Sequence, residues 1–291
     1  MLETYMSKYK EIIDKEILSL IATEKIPQAL KESMCYSIEI GGKRIRPLLL
    51  FLVLEAFGKR AELGYKTAAA LEMIHTYSLV HDDLPAMDDD DMRRGKPTNH
   101  KVYGEATAIL AGDGLLTHAF TIISRDEELT FKQRLDLIEA LSYAAGPSGM
   151  IAGQMLDMEA ENKKIELDQL KQIHRLKTGR LIEFAVVAGG IIAEVDQEII
   201  KRLQKFAGHL GLAFQIQDDI LDIEGDTALI GKPIGSDLIN EKSTYVSLTS
   251  VKEAKKMLEI EIEAALDLLR SFPIETKMLE EITMYIKIRQ S

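Results

Sequence analysis

The sequence is poor in several features, and each shortage excludes a class of protein. One cysteine among 291 residues, Cys35, excludes an intrachain disulfide framework and fits a reducing compartment, the cytoplasm. No apolar run approaches the length of about 18 residues that spans a membrane, and segment 1–20 lacks the apolar stretch of a signal peptide. Basic residues number 36 against 47 acidic ones, a net charge of −11. This balance argues against nucleic acid as a partner, because binding it requires basic residues that neutralise phosphates.

The feature that the chain has in abundance is helical periodicity. Apolar residues recur at spacings of three and four in four segments: 48–56, 71–79, 198–222 and 251–270. No segment alternates as a strand does, and no linker, low-complexity tract or repeat divides the chain. Glycine and proline cluster in three places: 41–42, 85–104 and 225–235. We therefore predict one all-α domain over 1–291 with two functional loops.

The aspartates are concentrated in two acidic clusters: Asp82, Asp83 and Asp88–Asp91, and then Asp218, Asp219 and Asp222. Most acidic runs are solvated surface. Here each cluster follows an apolar helical stretch and precedes a breaker, Pro85 or Gly225, so the carboxylates fall at helix C-termini. The macrodipole disfavours negative charge there by about 0.3–1 kcal/mol each. Asp218 and Asp222 also share one helix face, which brings two negative charges together. A bound cation would offset both this repulsion and the unfavourable interaction with the macrodipole.

The residues around the clusters indicate which cation to expect. The ligands are all oxygen atoms, which select hard ions, and neither loop has the spacing of an EF-hand. Mg²⁺ prefers one or two carboxylates together with phosphate oxygens, so we expect Mg²⁺ bridging to a phosphorylated ligand. Candidate phosphate-binding residues lie beside the breakers and clusters: Lys43, Arg46, Arg93, Arg94, Lys177, Thr178, Lys232 and Lys242. Each alone is typical of a surface residue, and only their concentration is informative.

These segments occur together in a known family. They are GGKRIRP, EMIHTYSLVHDDLPAMDDDDMRRGKPT, Gly153-Gln154 with Asp157, HRLKTG, and GLAFQIQDDILD followed by GKPIGSD and EKST. In this order, from residue 41 to residue 244, they resemble the trans-isoprenyl diphosphate synthases, and among these the farnesyl-producing bacterial enzymes. A single aspartate motif would be less specific, because terpene cyclases share it.

The resemblance implies a fold and a reaction. The fold is a bundle of about ten or more antiparallel helices around a deep central active-site cavity. In the reaction, Mg²⁺, three ions per active site, holds an allylic diphosphate between the aspartate motifs. The allylic diphosphate ionises to a carbocation, isopentenyl diphosphate attacks head-to-tail, and the released pyrophosphate accepts the proton. Dimethylallyl diphosphate and then geranyl diphosphate are the allylic substrates, and farnesyl diphosphate is the product.

The resemblance also implies roles for individual residues. The metal ligands are Asp82, Asp83, Asp88, Asp218, Asp219 and Asp222. The allylic diphosphate is bound by Arg93, Lys177 and Lys232, with Lys242 nearby in the same loop, and isopentenyl diphosphate by Lys43, Arg46, His75 and Arg94. Thr178 and Gln215 place oxygen dipoles near the carbocation. The residues of the reaction itself are then Asp82, Asp88, Asp218, Lys177, Thr178 and Gln215.

Three assignments have an alternative interpretation. His75 alone would be typical of a core residue, but with the resemblance its position two helical turns before Asp82 on the same face favours ligand contact. Gln154 and Asp157 either pair two helices or contact phosphate. The basic C-terminal tail, which includes Arg289, either closes over isopentenyl diphosphate or is solvated.

Product length would be set by a wall of the cavity. Ser78 lies four residues before Asp82, on nearly the same face and about 6 Å down the axis. Tyr77 is about 7.5 Å down but rotated by roughly 140°, so periodicity alone does not place it there. The resemblance does, because a bulky aromatic at this position and the insertion Pro85-Ala86 are typical of farnesyl-producing enzymes. We predict that Tyr77 forms the floor of the cavity that limits product length.

Three other functions remain open at this stage. A geranylgeranyl diphosphate synthase has the same sites and a deeper cavity. A non-catalytic subunit on this fold could dispense with one aspartate motif, and this chain has both. A terpene cyclase needs no isopentenyl site. GGKRIRP and Arg94 are features of such a site, so they argue against a cyclase. By resemblance we expect a homodimer without stable membrane insertion.

Overall fold

The computed structural model describes residues 1–161, 163–225 and 243–289, and its regular structure is almost entirely helical. This confirms the predicted all-α class. The helices are α1 (Leu2–Ala22), α2 (Gln28–Glu39), α3 (Ile45–Ala56), a 3₁₀ turn (Ala61–Gly64), α4 (Tyr65–Asp82), α5 (Asn99–Tyr103), α6 (Glu105–Ser124), α7 (Phe131–Ala145), α8 (Met150–Ala160), α9 (Leu167–His174), a π-helical turn (Arg175–Gly179), α10 (Arg180–Ile192), α11 (Gln197–Glu224), α12 (Tyr245–Leu248), α13 (Val251–Arg270) and α14 (Lys277–Ile288).

The chain divides into two compact units. Unit 1 comprises Met1–Phe51 and Arg60–Ile138, and unit 2 comprises Leu52–Lys59 and Glu139–Ser291. The single domain expected over 1–291 stays a prediction.

Unit 1 is organised around α4, which packs against α6, α1 and α2. Most residues of α4 are buried, including the polar residues Thr67, Glu72 and Thr76, so the helix lies within the core of its unit. Ala68, Ala69 and Ala70 make the first half of α4 slender and allow its neighbours to approach closely. The charged residues of α4 are therefore held in a rigid setting, and those near its C-terminal end face the loops.

Unit 2 is organised around α11, which packs against α13, α10 and the π-helical turn. Its N-terminus is capped by Asp196, whose carboxylate accepts a hydrogen bond from the amide of Ile199 at 2.8 Å. Ala213, Ile216 and Ile220 face the core that α11 shares with α12 and α13. The last two turns of α11 carry the second acidic cluster, so the predicted placement at a helix C-terminus is confirmed.

The expectation of no strand is wrong at one place. Two strands of two residues, β1 (Met92–Arg93) and β2 (Lys96–Pro97), pair antiparallel within the 85–104 segment. Arg94 and Gly95 form the connection with φ of +52° and +75°, as a type I′ hairpin requires. Strands this short show no alternation in sequence. The hairpin matters because it fixes the backbone of both arginines that follow the first acidic cluster.

Candidate active site

The first acidic cluster begins at the end of α4. Asp82 is the last residue of the helix and Asp83 its C-cap, and both are buried, whereas Asp88 is exposed. The amide of Asp88 donates to the carbonyl of Asp82 at 2.8 Å, so the chain turns back on the helix end. Asp83 Oδ1 accepts hydrogen bonds from two nitrogens of Arg93, Nη2 at 2.6 Å and Nε at 2.9 Å. This pair raises the pKa of Arg93, although burial opposes it.

A pocket in unit 1 brings together several residues of the predicted isopentenyl diphosphate site. The loop before α3, the middle of α4 and the hairpin line it through Gly41, Arg44, His75, Arg93 and Arg94. Segment GGKRIRP, His75 and Arg94 lie up to about fifty residues apart in the sequence. In the structure they line one pocket within one unit.

His75 is held as a neutral imidazole by its surroundings. Its pKa lies well below the ordinary value, first because burial disfavours the charged ring and then because Arg46, Arg94, Arg44 and Arg93 are near. A neutral histidine at pH 7 contributes a hydrogen bond and no charge. The positive potential of this pocket therefore comes from the arginines.

The second acidic cluster is engaged by protein groups. Asp218 Oδ1 accepts a hydrogen bond from Arg289 Nη2 at 2.5 Å, and the Arg289 side chain is only 4% exposed. The same guanidinium lies 4.1 Å from the centroid of the Phe214 ring and donates to the Phe214 carbonyl. Asp219 Oδ2 accepts from the amide of Tyr245, the first residue of α12, at 2.7 Å. The tail is thus bound to α11 at Arg289, so the solvated alternative does not describe this residue.

Lys177 and Thr178 lie in the π-helical turn between α9 and α10. Such turns are rare and frequently occur at functional sites. Lys177 Nζ lies 2.6 Å from Asp157 Oδ2 on α8, which supports the helix-pairing alternative for Asp157. The two segments touch at Gly153, where a Cβ atom would lie 2.2 Å from the amide nitrogen of Lys177. Glycine at 153 is therefore required for Lys177 and Asp157 to meet in this way.

The remaining predicted residues are distributed as follows. Lys43 precedes α3, Arg46 is in its first turn, and Gln215 is on α11 one turn before the second acidic cluster. Asp222, one turn after Asp218 on α11, is partly buried. Lys232 and Lys242 lie outside the described residues.

Tyr77 is buried in α4, and its pKa is raised to about 12 by burial and by Asp82. Its ring stands edge-on to the imidazole of His81, with centroids 5.7 Å apart. Within the described part of the chain, its hydroxyl has no hydrogen-bond partner. Ser78 instead donates its hydroxyl to the carbonyl of His75 at 2.9 Å. Among the described residues, the phenol therefore contributes its bulk and no hydrogen bond.

The acidic residues fit a hard divalent ion by their chemistry. Over residues 1–161, 163–225 and 243–289, no three acidic, histidine or cysteine side chains are already gathered around one point. Mg²⁺ does not need such a cage, because it retains water and takes phosphate oxygens from its ligand. Asp218 is 40% exposed and therefore accessible to an ion. The carboxylates of each cluster, taken by itself, fit Mg²⁺ that also binds phosphate oxygens.

Sequence reasoning missed four residues that organise these sites: Arg44, Glu72, His174 and Tyr245. Glu72 carried a signal, since it is a single charge within an otherwise apolar helical stretch. His174 lies beside the Tyr245 ring, and burial lowers its pKa to about 4. The role of Tyr245 rests on its backbone amide, which no side-chain pattern reveals.

An all-α fold with aspartates at the ends of two core helices, and with basic residues beside each, defines a class of enzymes that act on diphosphates with a divalent metal. The chain belongs to the polyprenyl synthetase family, whose sequence profile matches residues 27–275. It is 51% identical over 289 residues to farnesyl diphosphate synthase of Geobacillus stearothermophilus, covering 99% of this chain and 97% of that one. It is 48% identical to farnesyl diphosphate synthase of Bacillus subtilis, covering 99% and 98%. Geranylgeranyl pyrophosphate synthetase from Pyrococcus horikoshii superposes with a TM-score of 0.91 at 32% identity, covering 99% and 98%.

Proposed function

We propose that this protein condenses isopentenyl diphosphate head-to-tail with dimethylallyl diphosphate and then with geranyl diphosphate, giving farnesyl diphosphate. The observation that carries the proposal is the pair of aspartate motifs at the C-termini of α4 and α11, each with a basic side chain beside it: Arg93 at Asp83 and Arg289 at Asp218. The relatives from Geobacillus stearothermophilus and Bacillus subtilis, which bear the name of this activity and cover nearly the whole chain, support the same conclusion.

The difficult step is the departure of diphosphate from an allylic carbon. Prenyltransferases of this family generally need a divalent metal, and bound Mg²⁺ would neutralise the charge that develops on the leaving oxygens. We propose three such ions per active site, held by the six aspartates: Asp82, Asp83, Asp88, Asp218, Asp219 and Asp222. Arg93 and Lys177 would bind the same diphosphate, together with Lys232 and Lys242.

Arg93 and Lys177 are already oriented by carboxylates. The fork on Asp83 uses only Nε and Nη2 of Arg93, so a phosphate oxygen would bind the third nitrogen. The pairing of Lys177 with Asp157 holds a flexible ammonium near the π-helical turn before the ligand arrives. Preorganised charges stabilise a developing anion without reorganisation at the moment of reaction.

Isopentenyl diphosphate would bind in the pocket of unit 1. Arg94 lines this pocket and would supply charge, and neutral His75 would supply a hydrogen bond. Arg46, which lies near His75, and Lys43 of the preceding loop would add positive charge. Thr178 and Gln215 would turn oxygen dipoles towards the allylic cation, and Tyr77 and Ser78 would limit the length of the product. The released pyrophosphate would accept the proton from the new chain.

We also propose that both units act as one catalytic domain over 1–291 in a cytoplasmic homodimer without stable membrane insertion. Helix α6 is long and apolar enough to cross a membrane by length and composition, a test that core helices of soluble proteins also pass. Ile109 and Leu110 are exposed on α6, and a second copy of the chain is the partner we expect for this face.

The test is incubation of the purified protein with isopentenyl and dimethylallyl diphosphates and Mg²⁺, followed by chromatographic sizing of the dephosphorylated alcohols. We expect a fifteen-carbon alcohol, and none when the metal is chelated. A twenty-carbon alcohol would identify a geranylgeranyl diphosphate synthase instead. No condensation product would refute the proposed function.

A further inference from the structure

Glu72 is a charged residue in the most apolar part of α4. It is 3% exposed, and its neighbours Leu71, Met73 and Ile74 are fully buried. A buried carboxylate is costly unless it is paired and hydrogen-bonded. Glu72 Oε1 accepts a hydrogen bond from Arg44 Nη1 at 2.8 Å, and this contact links α4 to the GGKRIRP loop.

Arg44 is bound on three sides. Besides Glu72, it donates from Nε to Asp14 Oδ1 of α1 at 2.7 Å and from Nη2 to the carbonyl of Ile38 in α2 at 2.8 Å. Its φ of +55° is uncommon for a residue with a side chain, and the contacts of the guanidinium sustain it. The loop that carries Lys43 and leads to Arg46 is therefore held by a residue that itself points away from solvent.

Arg94 approaches the same place from the hairpin. A Cβ atom on Gly42 would lie 2.5 Å from Arg94 Nη1 and 3.2 Å from Arg44 Nη1, so both guanidinium groups rest beside this glycine. Desolvation and the nearby Arg44, Arg93 and Arg46 lower the pKa of Arg94, while Glu72 raises it. Cations this close repel one another, and Glu72 is the buried carboxylate of α4 that attracts both.

We propose that Glu72 is a positioning residue that keeps Arg44 and Arg94 beside Gly42, so that the diphosphate pocket of unit 1 is assembled before its ligand binds. The identity of that ligand as isopentenyl diphosphate rests on the proposed function. Glu72 itself does not touch the ligand in this account. It acts through the two arginines.

Two effects of removing this charge oppose each other. A negative charge near an anion site weakens anion binding by direct repulsion, so a purely electrostatic view predicts tighter binding once Glu72 is neutral. If Glu72 instead holds the arginines, its loss leaves them mispositioned, and binding weakens. The direction of the change therefore distinguishes the two views.

The experiment is the Glu72→Gln variant of the full chain, compared with wild type. Calorimetric titration with isopentenyl diphosphate without metal measures affinity for this pocket, and steady-state kinetics measure KM for each substrate. We expect isopentenyl diphosphate to bind about tenfold more weakly, with its KM raised in proportion, because charged hydrogen bonds contribute about this much. The KM for geranyl diphosphate should change less than about twofold, since the contact concerns only one pocket.

Asp126→Asn provides a matched control. The side chain of Asp126 is 2% exposed, and Oδ1 lies 3.1 Å from Nζ of Lys66 at the start of α4. This variant also loses a buried carboxylate that is tied to α4. It should lower the melting temperature and leave the affinity for isopentenyl diphosphate unchanged.

Gly42→Ala tests the same geometry if Glu72→Gln does not fold, because its methyl group displaces Arg94 and leaves Glu72 intact. We expect the same selective loss of affinity. Unchanged or tighter binding of isopentenyl diphosphate by a folded Glu72→Gln protein, or by Gly42→Ala when the first variant is unfolded, would overturn the proposal. Failure of the wild type to condense prenyl substrates would instead refute the proposed function, and titration of wild type and variants with inorganic pyrophosphate would still test the positioning role.

Discussion

Tyr77, the proposed floor of the product cavity, is a buried aromatic residue of α4. Its side chain is 6% exposed, and its hydroxyl has no hydrogen-bond partner among the described residues. The ring therefore contributes volume beside the helix end that carries Asp82. Removing that volume would open space that a longer prenyl chain can enter.

We predict that Tyr77→Ala makes products longer than fifteen carbons, whereas Tyr77→Phe keeps the wild-type product because it retains the ring. Loss of a buried aromatic ring should also lower the free energy of unfolding by about 3–5 kcal/mol. Product sizing and chemical denaturation measure the two effects. A fifteen-carbon product from a folded Tyr77→Ala enzyme would show that the floor lies elsewhere.

At the scale of elements, the tail after α14 contacts the end of α11 at Asp218, one of the proposed metal ligands. Arg289 lies on Asp218 and over Phe214, and the Arg289 carbonyl accepts a hydrogen bond from Gln217 Nε2 at 3.1 Å. The tail therefore contacts α11 at three positions on one face, Phe214, Gln217 and Asp218. A divalent ion on Asp218 Oδ1 would take the place of the Arg289 guanidinium.

We predict that Arg289→Gln lowers the Mg²⁺ concentration for half-maximal thermal stabilisation in the presence of pyrophosphate, by about two- to fivefold. The size of this shift follows from the ion pair between Arg289 and Asp218, because a partly exposed pair contributes up to about 1 kcal/mol. Lys287→Gln is the control, because Lys287 pairs with Glu259 at 2.5 Å on α13 and should leave the midpoint unchanged. A higher midpoint for Arg289→Gln would mean that the arginine assists the metal.

At the scale of the whole molecule, the sequence predicted the helices well because long apolar periodicity dominates them. The segments 198–222 and 251–270 correspond to α11 and α13 almost to the residue. It could not predict contacts that depend on backbone geometry, such as the hairpin at Arg94, whose strands are too short to show alternation. It also missed Glu72, because pairing with Arg44 depends on where the loop before α3 lies against α4.

The central claim is that the aspartates at the ends of α4 and α11 serve one Mg²⁺-dependent prenyl transfer. The most direct measurement is the turnover number of Asp82→Ala and Asp218→Ala with isopentenyl and geranyl diphosphates in saturating Mg²⁺. Asp196→Ala is the control, since it removes only the N-cap of α11, at about 1 kcal/mol of stability. We expect each motif variant to lose at least about a hundredfold in turnover while Asp196→Ala retains wild-type turnover, because each motif would hold charge that stabilises the departing diphosphate. Wild-type turnover by either motif variant would contradict the account.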